Sequence, residues 1–181
     1  MSTVTRSPFL VNVATLRRAG SWRRPEHRRG PIRGLVITGS HVTTGGLVDV
    51  DVVLDPIDGG IAVAGTVSAP WVGECRRCLG EVVGEVAVQV HELYEPHHRS
   101  DPTPETEEET YLLTGDTVDL EPLAREAVLL NLPQAPLCRS GCAGLCPSCG
   151  ADLNVGPCGC PPAGVDPRWV ALDALRGRDL S

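Results

Sequence analysis

Eight cysteines carry most of the chemistry that this 181-residue sequence can offer. Cys146-Pro147-Ser148-Cys149-Gly150 places two thiolates two residues apart on a tight turn, where both can face one ion. Zinc takes four ligands in a tetrahedron at about 2.3 Å from each sulfur, and proteins usually supply them as two such pairs. Cys158 and Cys160 follow after a spacer of eight residues, and Cys138 and Cys142 form a further pair upstream. Six cysteines within 23 residues are far more specific than a lone CxxC, which thioredoxin-like redox sites share. The segment 138–160 has no histidine, and Asp152 is its only acid. A catalytic zinc keeps a coordination position open and usually recruits His or a carboxylate, so all-sulfur ligation points to a closed, structural ion.

The remaining pair, Cys75-Arg76-Arg77-Cys78, lies between two Val-rich stretches. Two arrangements are open. Cys75 and Cys78 can join Cys138 and Cys142 in a second zinc site that pins the tail to the body. Alternatively, the tail holds a single ion and the CRRC turn is free for another role. Arg76 and Arg77 would also lower a neighbouring thiol pKa, which keeps a redox reading of this pair in view. Redox CxxC motifs, however, normally open a helix after a strand.

Other candidates are weaker. His27, His41 and His91 have no partner at ligand spacing, and His97 and His98 fall in a Pro-rich acidic stretch. No GxSxG, HExxH, P-loop or GxGxxG occurs, and nothing proposes a nucleophile with its base. Arginines at 17–33, among them Arg23 and Arg24 beside Trp22, form a basic cluster whose cations and indole can grip phosphate and stack a base of RNA.

Composition limits what can position these residues. Aromatics are only 3% and lysine is absent, so the core must be built from Val, Leu, Ala and Ile. The net charge of −7 excludes a protein that simply coats nucleic acid, but the charges are segregated. Eight of the 16 Arg lie in the first 33 residues against Glu26 alone, whereas residues 85–126 carry twelve acids. No apolar run reaches the roughly 18 residues needed to span a membrane, and no signal peptide is visible. Eight cysteines without an export signal favour metal ligation in the cytoplasm over disulfides.

The patterning predicts an α+β fold around an antiparallel β-meander, with two helices and a C-terminal cysteine-rich zinc knuckle. Residues 8–16 read as a strand running into a turn of helix, and 17–33 as an Arg-rich arm without period, mobile unless a partner orders it. LVDVDVVLD alternates apolar and acidic residues, DPIDGG is a turn, and IAVAGTVSAPWVGEC and VVGEVAVQVHELYE supply two more strands around the CRRC reversal. Residues 96–110 read as an acidic linker between a β-rich region (1–95) and a C-terminal region (111–181). In the latter, TYLLTGDTVD gives a short strand and turn. Asp119 caps a helix with an apolar stripe that runs to Leu130 and stops at Pro133. A second helix begins at Asp166–Pro167.

Two motifs together resemble the YceD family, the large ribosomal RNA subunit accumulation proteins. One is C-x-R-C-L at Cys75 to Leu79; the other is the tail LPQAPLCRSGCAGLCPSCGADLN with its following CGC and DPRW. The order of elements agrees over most of the chain. The resemblance implies a bacterial, non-enzymatic role in accumulation of large-subunit (23S) ribosomal RNA. The partner would be that RNA or a large-subunit ribosomal protein, with no membrane and no small-molecule substrate. The cysteines themselves call for one or two structural zinc ions; the resemblance places the shared function near the CRRC turn, where Arg76 and Arg77 can reach RNA phosphates. Two rivals remain: a zinc-ribbon nucleic-acid-binding regulator, and a thiol oxidoreductase using Cys75 and Cys78. The first suffers from Arg139 being the only cation between Leu137 and Asp166.

Overall fold

Val48–Ile57 (β4), Gly60–Glu74 (β5) and Glu81–Pro96 (β6) form the predicted antiparallel meander in a computed structural model that describes residues 7–19, 22–96, 111–161 and Arg168. Their alternation sends one face inward. Val48, Val50, Val52 and Leu54 of β4 are buried with Ile61, Val63, Val67 and Ala69 of β5 and Val86, Val90 and Tyr94 of β6. Asp49, Asp51 and Asp55 fall on the opposite face of β4. A two-residue Asp58–Gly59 turn joins β4 to β5, the chemistry expected of a tight hairpin.

The chain reaches β4 through Leu10–Asn12 (β1), Ala14–Ala19 (α1), Arg24–Gly30 (β2) and Ser40–Val42 (β3). The expected strand and turn of helix over 8–16 are therefore present as β1 and α1. The expectation of a mobile arm over 17–33 is corrected: β2 pairs antiparallel with β4 along its whole length. Charge takes the place of an apolar period there. Glu26 bridges Arg24 and Arg28 at 3.0 Å each on the side that faces the core, while His27 and Arg29 meet Asp49 on the other face.

After β6 come Tyr111–Leu113 (β7), Thr117–Asp119 (β8) and the helix Glu121–Asn131 (α2). The large sheet runs β2-β4-β5-β6-β7, with β3 added to the far end of β5, and β1 pairs with β8 in a separate ribbon. β7 lies parallel to β6, so the sheet is mixed at this edge rather than purely antiparallel. Helix α2 packs on β5 and β6 through Leu123, Ala124 and Val128. Asp119 stands one residue ahead of the helix cap, Leu120, and accepts a hydrogen bond from the Glu121 amide at 3.0 Å. Leu132 is extended ahead of Pro133 and closes the helix, as a pre-proline residue should. Leu130, read as part of the apolar stripe, is 83% exposed.

Pro96, counted with the expected acidic linker over 96–110, instead ends β6. The rest of that linker, with His97 and His98, and the expected C-terminal helix from Asp166, apart from Arg168, lie outside the described residues. Among the described residues no helix is long and apolar enough to cross a membrane.

Candidate metal centre

The hairpin turn between β5 and β6 is where the sheet meets the tail. The chain leaves α2 at Leu132 and passes β3, where Ser40 donates to the Pro133 carbonyl at 2.8 Å. It then reaches the turn, where the Arg76 amide donates to the Pro136 carbonyl at 3.0 Å. This crossing brings Cys138 and Cys142 onto Cys75 and Cys78.

The eight cysteines separate into two sets of four: Cys75, Cys78, Cys138 and Cys142, and then Cys146, Cys149, Cys158 and Cys160. Within each set all sulfurs lie within 4.8 Å of one another. Cys75 Sγ is 3.8 Å from Cys142 Sγ, and Cys78 Sγ is 3.7 Å from Cys138 Sγ. A disulfide would require about 2.05 Å. A tetrahedron with metal–sulfur bonds of about 2.3 Å has edges of about 3.8 Å, so the spacing in the first set is that of sulfurs around one ion. Either set can hold a metal ion.

Two turns of the same construction present the leading pair of each set. The Cys75 amide donates to the Gly80 carbonyl at 2.8 Å, and the Leu79 amide donates back to Cys75 at 2.9 Å. In the second turn the Cys146 amide donates to Ala151 and the Gly150 amide to Cys146, both at 2.8 Å. Each turn needs a left-handed residue after its second cysteine. Gly150 supplies it at φ 73°, whereas Leu79 adopts φ 61° and is 62% exposed. A left-handed non-glycine residue costs about 1–2 kcal/mol, of which glycine's larger unfolded-state entropy would return part. Leu79→Gly is therefore expected to stabilise the turn by up to about 1 kcal/mol, read as a small upward shift in the temperature of metal release at unchanged metal content.

Backbone amides also set the charge of the thiols. Those of Cys138 and Cys78 point at Cys75 and bring its pKa down to about 6 against the opposing effect of burial. Those of Cys149 and Ser148 bring Cys146 down to about 6. Hydrogen bonding with Cys142, then burial, pushes Cys138 up to about 12, and hydrogen bonds with Cys149 and Cys146 push Cys160 up to about 11. Burial opposes ionisation of Cys142, yet the Asn154 amide and the Gly144 backbone N–H hold its pKa below the ordinary thiol value. Each set thus offers an anionic sulfur to an incoming cation and a thiol that must lose its proton. Loading with a metal ion would release protons, and affinity would rise with pH.

The arginines are placed less openly than their types suggest. Arg76 is exposed on the turn. Arg77 donates through Nη1 to the Cys142 carbonyl at 2.8 Å and the Ser140 carbonyl at 3.4 Å, so it braces the tail. Its own carbonyl receives the Leu145 amide at 3.0 Å, next to a left-handed Gly144 whose missing Cβ leaves room for that approach. Arg23 pairs with Asp55 at 2.8 Å, and Arg24 contacts Glu26 and the Asn12 carbonyl. Trp22 is 75% exposed. Asn154, which the sequence analysis did not single out, stands in the segment between Cys149 and Cys158 and donates to Cys142 Sγ at 3.5 Å. An amide five residues after a CxxC is ordinary turn chemistry, and nothing in its spacing marks it.

Fold and site together define a mixed-sheet protein whose C-terminal tail is organised on two cysteine knuckles. The sequence model for the large ribosomal RNA subunit accumulation protein YceD matches residues 63–176, and the chain belongs to that family. An uncharacterized protein of Mycobacterium tuberculosis is 40% identical over 175 residues, covering 94% of this chain and 83% of its own. An uncharacterized protein of Mycobacterium bovis matches to the same extent. The uncharacterized protein YlbN of Bacillus subtilis is 30% identical over 115 residues, 63% of this chain and 65% of its own. No solved structure matches the chain.

Proposed function

We propose that this chain is a non-enzymatic ribosome-assembly factor that carries two structural zinc ions and promotes accumulation of large-subunit (23S) ribosomal RNA. Its direct partner is that RNA or an early large-subunit ribosomal protein, in the cytoplasm. The observation that carries the reading is the family match over residues 63–176, since the family's description ties it to this RNA. Zinc is favoured over other ions because two all-sulfur sets suit a borderline-soft cation of tetrahedral habit. Four thiolates close each coordination sphere and leave no position for a substrate. Cys75 is fully buried, which speaks against the thiol-exchange rival, because an attacking thiolate needs access.

On the surface, Arg76 is the proposed RNA contact whose side chain stays exposed while only its backbone amide meets the tail, and it stands on a turn fixed from both sides. Arg23, Arg24 and Arg77 already hold acids or carbonyls, although Arg23 keeps a side chain 77% exposed and such surface pairs are weak. Depleting the protein should lower 23S relative to 16S ribosomal RNA, and an unchanged ratio would overturn the proposal. In a purified binding assay, Arg76→Ala should reduce the slope of log affinity against log salt by about one, the signature of one lost phosphate contact.

A further inference from the structure

The loop between Cys149 and Cys158 has almost nothing apolar to hold it. Val155 is 89% exposed, and no hydrophobic side chain of 150–157 is buried. Its order comes from the knuckle at its start, where Cys146 bonds Ala151, and from the Leu153 amide donating to the Gly144 carbonyl at 2.9 Å. From this loop Asn154 reaches into the other sulfur set. Its Nδ2 donates to Cys142 Sγ at 3.5 Å and to Asp152 Oδ1 at 2.6 Å. Its Oδ1 accepts the Ala143 amide at 2.8 Å and Arg139 Nη2 at 2.7 Å. The amide cannot be turned over: one end faces two donors, the other a carboxylate and a sulfur. Arg139 directly follows Cys138 and Ala143 directly follows Cys142, so one side chain fixes both the Cys142 sulfur and the loop that carries it.

We infer that Asn154 is a positioning residue that couples the two sulfur centres, so that an ion at Cys146, Cys149, Cys158 and Cys160 tightens binding at Cys75, Cys78, Cys138 and Cys142, and the reverse. The inference rests on the proposal that both sets hold metal. An ion in the second set fixes the two ends of the 150–157 loop and thereby delivers the Asn154 amide to a first-set thiolate. Hydrogen bonds from outside the ligand shell orient ligands and tune their basicity, and losing one typically costs ten- to a hundredfold in metal affinity. Coupling of this kind is reciprocal by linkage, so emptying either set weakens the other by the same factor.

The test uses the full chain, reduced and metal-depleted, titrated with Zn2+ against a chromophoric chelator and with Co2+ followed by its thiolate charge-transfer absorption. Wild type should take two equivalents. Cys158→Ser, which breaks only the second set, should weaken the first set about tenfold or more. Asn154→Ala should still take two equivalents, with the first set weakened by a similar factor. The double variant should be no weaker at the first set than either single variant, because the route between the sets is already cut. Asn154→Asp keeps an acceptor for Ala143 and Arg139 but sets a carboxylate beside Cys142 Sγ. It should weaken the first set further and shift the first-set Co2+ band while leaving the second-set band in place, which a merely structural role would not do. Uptake of two equivalents with first-set affinity unaffected by Cys158→Ser would overturn the coupling alone. Absence of any metal uptake by wild type would overturn the metal reading together with it.

Discussion

A Cys75→Ser variant is expected to bind less metal and to lose protease protection from about residue 137 to 161, while its sheet stays folded. The reason lies in what is buried where. The core cluster runs from Phe9 to Leu132 and contains no cysteine. Beyond Pro136 the only hydrophobic residues buried among those described are Cys142 and Cys146. A segment of this length with no apolar core of its own must take its folding energy from elsewhere, and ligation of a structural ion can supply it. The first sulfur set is the one that draws ligands from both the sheet and the tail, and Cys75, at the end of β5, is its most buried member. Without that thiolate the tail keeps little besides the Arg76–Pro136 and Arg77 contacts to hold it on the hairpin. A loss of at least about 3 kcal/mol in the free energy of local opening corresponds to cleavage faster by about a hundredfold or more. The melting temperature of the sheet, followed by far-UV circular dichroism, should move by no more than a few degrees. Strong chelation of the wild type should reproduce the pattern. A tail that stays protected in Cys75→Ser, at reduced metal content, would show that something other than the first ion holds it.

The parts of this arrangement differ in how far they could be read from sequence, and the differences have physical causes. The meander was legible because Val48, Val50 and Val52 alternate with Asp49 and Asp51, and a half-buried strand leaves that period. Strand β2 was not, because its inward positions at the sheet edge are Arg24, Glu26 and Arg28, which satisfy one another as ions and so show no apolar period. The parallel pairing of β7 depends on where the chain returns after a long connection, and a three-residue strand carries no signal for that. For the cysteines, type and count pointed to sulfur ligation, but spacing alone left open whether Cys75 and Cys78 join the tail. The crossing at Pro136 decides it, and that crossing is a property of how α2 packs on β5 and β6, not of the motif. Asn154 was invisible for a related reason: its role exists only once two loops with no sequence relation are brought together.

Phe9→Ala should lower the melting temperature of the sheet itself by about 6–20 °C. Phe9 is the sole phenylalanine of the chain and is fully buried. Its carbonyl accepts the Leu120 amide at 3.1 Å, and the strand that follows it pairs with β8 just ahead of α2. On its other side the ring lies against Gly30, where even an added methyl would sit 3.4 Å from Cε2. Phe9 thus ties the start of β1 to the residue ahead of α2 through its backbone and to the end of β2 through its ring. Truncating a buried Phe to Ala costs about 3–5 kcal/mol, against a total stability of about 5–15 kcal/mol for a typical domain. At about 2–4 °C per kcal/mol for a chain of this size, the shift is large and easily measured. Below the transition, metal content should equal that of wild type, since no cysteine belongs to the Phe9 cluster. A shift of less than about 6 °C, the smallest value these costs allow, would mean that the site collapses around the missing ring or that β1 contributes little. The contrast with Cys75→Ser is directional. The first sulfur set takes two ligands from the β5–β6 turn, so when the Phe9→Ala sheet melts, the first-set metal must leave at the same temperature. In Cys75→Ser the tail comes free while the sheet persists. Together the two variants are expected to show that the tail depends on the sheet and the sheet does not depend on the tail.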